Sequence, residues 1–127
     1  MAVKLVAVDG LTLTPQGIVT PGVGTLTITS TPSVKVLAEG KGVYKTPMTF
    51  TLAGGSASGY DPTTVATVGP GSVLGTSIKN LADGSLVMRV DDQAVAVPMT
   101  GTIGGTPTPF AETWKITNAG QTKVQGE

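Results

Sequence analysis

The chain writes nearly the same phrase more than once. "SVKVLAEGKGVYK" starts at Ser33 and "SIKNLADGSLVMR" at Ser77. Leu37-Ala38-Glu39-Gly40 falls on Leu81-Ala82-Asp83-Gly84, and Val43-Tyr44-Lys45 falls on Val87-Met88-Arg89. A second block follows each copy, "PMTFTLAGG" from Pro47 and "PMTGTIGG" from Pro98, with extra residues at "VDDQAVAV" in the later one. A weaker third copy, "KITNAGQTKV", runs from Lys115 to Val124, where Lys115, Ile116 and Gly120 match. Internal repetition constrains a fold strongly, because each repeat is a supersecondary unit that cannot bury its apolar face alone.

Each copy reads as a β-hairpin. Apolar and polar residues alternate on either side of Glu39-Gly40, Asp83-Gly84 and Gly120. An acidic residue before Gly suits a two-residue turn whose central positions both need positive φ. A lone hairpin is marginal in water. Three that lean together bury their faces on one axis, which predicts an all-β fold of short hairpins in a pseudo-threefold cone or prism. Such a monomer meets three identical chains without a symmetry clash, so its base suits the end of a trimeric β-structured shaft. Lys35, Lys79 and Lys115 open the three copies and are the expected shaft contacts, against a plainer reading as solvated lysines. Met48 and Met99, the matching residues of "PMT", are expected to pack near the axis or apex, with ordinary core Met as the alternative.

Length and composition fit this picture. The 127 residues suit one domain, read as an N-terminal strand pair or extension over 1–23 and a cone over 24–127. Thr is the commonest residue, and Gly 18 and Pro 9 supply turns between short strands. Helix signals are thin. Asp61 as N-cap and Pro62 at N1 suit a short helical turn over 62–68, although Thr63, Thr64 and Val65 are poor helix formers. The formal net charge is zero with 13% charged residues, so no basic field exists for nucleic acid. No apolar run approaches the roughly 20 residues of a membrane helix. The N-terminus lacks a signal-peptide pattern, so synthesis in the cytoplasm is expected.

Catalytic constellations are hard to assemble. The chain has no Cys and no His, which removes thiolate nucleophiles, imidazole bases and the usual zinc ligands. The best acidic group is Asp91-Asp92 with Asp83 and Glu39. Adjacent carboxylates on a strand point to opposite faces, unlike a paired acid and base. "GGSASG" and "GPGSVLG" lack the Lys-Ser/Thr ending of a phosphate loop and read as connections. Five scattered aromatics, Tyr44, Phe50, Tyr60, Phe110 and Trp114, read as core or interface anchors. No enzyme and no cofactor are expected.

The stretches "GTLTITSTPSVKVL", "YKTPMTF", "NLADGSLVMRVDD" and "WKITNAGQTKVQ" resemble the PAAR-like proteins, the cone-shaped tips of contractile-injection spikes in phage tails and type VI secretion systems. In that family a short strand, a Gly turn and a Pro-Ala-Ala-Arg strand recur. Here Val87-Met88-Arg89 before Asp91 only hints at the motif. The resemblance implies a structural tip that caps a trimeric β-helical shaft, one copy per trimer, and sharpens it for envelope piercing. It places the protein in a virion tail or a secreted injection particle, monomeric when alone. Many family members bind a metal through His and Cys. Thr29, Thr49 or Thr100 would stand in comparable places, and neutral hydroxyls are poor zinc ligands, so no conventional metal site is expected. A rival reading is a non-catalytic β-sandwich that binds a surface or decorates a capsid, which would need no triplication.

Overall fold

The computed structural model describes residues 4–76, 81–82 and 85–126. The described residues are all-β, with no helix among them. Thirteen short strands run in order: β1 (Lys4–Leu5), β2 (Thr12–Pro15), β3 (Thr25–Ile28), β4 (Leu37–Ala38), β5 (Lys41–Gly42), β6 (Met48–Ala53), β7 (Ala66–Thr67), β8 (Gly71–Val73), β9 (Leu81–Ala82), β10 (Ser85–Leu86), β11 (Gln93–Ile103), β12 (Thr106–Asn118) and β13 (Gln125–Gly126).

Two sheets enclose the main core. One has the order β2-β12-β11-β7 and the other β3-β6-β8. The repeated "PMT" blocks become β6 and β11, one in each sheet. Period-two alternation puts Met48, Phe50 and Leu52 of β6 inward and Thr49 and Thr51 half-exposed. Met48, Met88, Met99 and Phe50 are fully buried, and the Phe50 ring lies tilted on Trp114 with centroids 5.4 Å apart. Gly71 faces Phe50 and Val97 so closely that an added Cβ would overlap the Phe50 ring. Met48 and Met99 are therefore interior core residues. The extra residues of the later copy form a turn at Asp91 (φ 73°) and a bulge between Ala94 and Val97, with Ala96 at φ 51°. The bulge turns Val95 to solvent and returns Val97 to the core.

Strands β11 and β12 make one long antiparallel hairpin, turning at Gly104-Gly105 (φ 58° and 82°). The segment beside that turn is not helical. Asp61 accepts hydrogen bonds from the Gly104 amide (3.2 Å), the Gly105 amide (3.0 Å) and the Thr102 hydroxyl (3.1 Å). Thr63 takes φ 59°, and the chain goes on into β7. Asp61 thus uses its carboxylate on a neighbouring turn, where the sequence suggested a cap for its own segment. Tyr60 packs tilted on Phe110 with centroids 4.9 Å apart and lies over Gly101.

The other end of the molecule is built from two-residue strands. β4 pairs with β5 across Glu39-Gly40 (φ 52° and 78°), and β9 pairs with β10. β1 pairs with β13, which brings opposite ends of the described chain together. Residue 23 is not a structural boundary: residues 4–9 join this end of the fold, and β2 pairs with β12.

Candidate docking face

Three short segments close on one another in a ring. The Ala7 amide donates to the Met88 carbonyl (2.8 Å), Met88 to Tyr44 (2.9 Å) and Tyr44 back to Ala7 (3.0 Å). A second set closes the same ring with donation in the opposite sense: Asp9 to Gly42 (3.0 Å), Thr46 to Leu86 (2.8 Å) and Val90 to Leu5 (2.9 Å). Bridges join Val6 to Arg89, Val43 to Val8 and Val87 to Lys45. In every case the first residue of one segment meets the third of the next. The segments Val6-Ala7-Val8, Val43-Tyr44-Lys45 and Val87-Met88-Arg89 are therefore structural equivalents.

Their side chains alternate. Ala7, Tyr44 and Met88 enter the main core, while Val6, Val8, Val43, Val87 and Ala38 form a second, smaller cluster. A hollow of about 150 Å³ opens on that cluster. Val6, Val43 and Val87 line it, with Val36 and Val124 beside them and Leu37 at its rim. Leu37 is 55% exposed and Val124 40%. Gln125 completes the lining, and the charged side chains nearby lie outside it. Asp91 pairs with Lys4 (3.7 Å) and Lys115 (3.3 Å). Asp92 is buried and accepts from the Arg89 amide (2.8 Å) and the Thr76 hydroxyl (2.5 Å), and Arg89 Nη2 donates to the same hydroxyl (2.8 Å). The two aspartates thus serve separate contacts and form no acid and base pair.

Three lobes surround the ring, and the third differs from its expected form. Val43 donates to the Val36 carbonyl (3.1 Å), and Val6 donates to Val124 (3.0 Å). This equivalence sets Ser33-Val34-Lys35-Val36 on Gln121-Thr122-Lys123-Val124. The lysine matching Lys35 is therefore Lys123, not Lys115, which lies on β12. Residues 115–124 are not a hairpin either: β12 pairs with β11 and β2, and Gly120 (φ 84°) turns the chain toward the seam with β1. Lys79, Asp83 and Gly84 lie outside the described residues. Thr29 and Thr49 share a hydroxyl hydrogen bond (2.7 Å) in one sheet, and Thr100 lies in the other.

A larger apolar cleft, about 270 Å³, lies between β2 and residues 20–26, with Leu13, Leu26 and Trp114 among its walls. Trp114 Nε1 is buried and has no hydrogen-bond partner among the described residues. No protein-family model, curated protein or solved structure matches the chain.

Proposed function

We propose that this protein is the structural tip of a contractile tail or secretion spike, seated by its three-way ring on the blunt end of a trimeric β-helical shaft. The observation that carries the reading is the cyclic hydrogen-bond pattern around an apolar hollow. A partner with three identical chains offers three equal contacts, and a ring of three equivalent segments is the surface on which one polypeptide answers all of them. The valine-lined hollow supplies apolar area to bury, and each lobe presents a short outer strand, β4, β9 or β13, for continued pairing. In the other direction the β11–β12 hairpin runs away from the ring. Its foot is tied there by Ile116, whose amide donates to Asp92 (3.0 Å). Its turn lies about 36 Å along the strand at roughly 3.3 Å per residue. A three-segment ring with one long hairpin leaving it suits a mechanical point. Triplication also favours this reading over a decoration module built as a plain sandwich.

The test is co-expression with the proteins encoded by neighbouring genes, followed by native mass spectrometry. One copy of this chain per trimer is expected. Three copies per trimer, or a symmetric homotrimer of the chain itself, would overturn the reading. Leu37→Asp, at an exposed rim position, is expected to weaken the complex by about tenfold or more while leaving the fold intact.

A further inference from the structure

The three lobes are not closed in the same way. In the β4–β5 lobe a two-residue turn joins the strands, so an opened pair stays within reach and recloses. In the β1–β13 lobe the strands meet only because the folded body carries them there. A buried side chain replaces the missing turn. Gln121, 4% exposed, donates from Nε2 to the carbonyls of Val6 (2.8 Å) and Val124 (2.7 Å). Its Oε1 accepts from the amides of Lys123 (2.8 Å) and Val124 (2.8 Å). Every hydrogen-bonding valence of the amide is used. Ser33, its counterpart, does the equivalent work with its own amide and hydroxyl: the amide donates to Val43 (2.9 Å), and the hydroxyl accepts from Lys35 (3.2 Å) and Val36 (3.0 Å). Val6 and Val124, the residues that Gln121 clamps together, also line the hollow.

We infer that Gln121 is a latch, that the β1–β13 seam is where the ring opens, and that the docking face exists only while the latch is shut. A partner seated across all three lobes binds the shut form, so docking and latch closure stabilise each other. A chain without β13 in place has no complete face, which restricts loading to molecules in which β1 and β13 have paired. The coupling to a partner rests on the docking reading above; the latch itself does not.

Amide exchange on the full chain separates the two. The Val6 and Val43 amides occupy matching positions, so their rates compare lobes directly. Val6 is expected to exchange about tenfold faster at neutral pH, as local opening without global unfolding allows. Equal rates would overturn the latch. Gln121→Leu, which keeps bulk and loses four hydrogen bonds, is expected to speed Val6 by about a further tenfold or more and to leave Val43 unchanged, since each lost bond weakens the seam. Parallel acceleration of both amides would overturn it. If that variant does not fold, head-to-tail cyclisation of the wild-type chain is the second measurement: Val6 should slow to the Val43 rate, and no change would overturn the latch. The final arm uses the shaft trimer identified by mass spectrometry. Gln121→Leu should bind it about tenfold more weakly, with cyclisation restoring affinity. Equal binding by variant and wild type would remove the coupling alone, whereas no complex with either would remove the docking reading.

Discussion

The ring end and the hairpin end of this molecule solve one problem by opposite means. Both must finish strands without leaving backbone amides unpaired. At the ring, three segments trade backbone hydrogen bonds among themselves, and the side chains are left to make a small valine cluster. At the far hairpin a single carboxylate, Asp61, collects two turn amides and a hydroxyl. Reciprocity at the ring demands three partners and, apart from Gln121 at the β1–β13 seam, no particular side chain. The clamp at the hairpin demands one particular side chain and its charge. Substitution and pH should therefore act differently at the two ends, with the large core between them carrying most of the stability.

The largest expected effect is in that core. Phe50→Ala should lower unfolding free energy by about 3–5 kcal/mol in denaturant titration, since the ring fills space against Trp114 and Gly71. Val87→Ala at the ring removes two buried methyl groups and should cost only about 1–2 kcal/mol, at roughly 0.8 per group. A ring substitution costing as much as Phe50→Ala would break the comparison. Smaller still is the alkaline response of Tyr44. Burial first, then the charge of Asp9 and a hydrogen bond to it, raise its pKa above the ordinary tyrosine value. Its contribution is present below that value and is lost as pH rises through the folded one. Tyr44→Phe should flatten the stability profile in alkali. The smallest effect is local to the hairpin. The Gly105 amide first, then the Gly104 amide, hold Asp61 below the ordinary aspartate value, against the opposing effect of desolvation and with help from the Thr102 hydroxyl. The clamp is intact above that value and is lost as pH falls through the folded one. Amide chemical shifts of Gly104 and Gly105 should report an acid transition that Asp61→Asn abolishes, with the ring amides unmoved.

Much of the fold was legible where the repeat is contiguous. Glu39-Gly40 turns as two consecutive positive-φ residues should, and the matching "PMT" blocks became matching strands. The third copy was not legible, for a physical reason. Its first strand lies beside Gln125 and its second beside Leu5, so no single window of sequence holds both. Val6-Ala7-Val8 reads as any apolar stretch would. Lys115 took the place of Lys123 in the alignment because "KITNAG" imitates the start of a copy, while "QTKVQ" has a Gln where the others have Ser. The third copy runs from Lys123-Val124 through β13 and resumes in register at Lys4-Leu5-Val6. The clamp at Asp61 was hidden too, since its acceptor oxygens serve a turn some forty residues away, beyond any local motif.

The inward-facing middle residues of the ring, Ala7, Tyr44 and Met88, differ greatly in size. Their backbones obey one pattern while their side chains do not. Regularity is thus confined to a single peptide layer, and the body above it is free to be wholly irregular. In the docking reading proposed above, this layer is where threefold equivalence ends, within the length of one side chain.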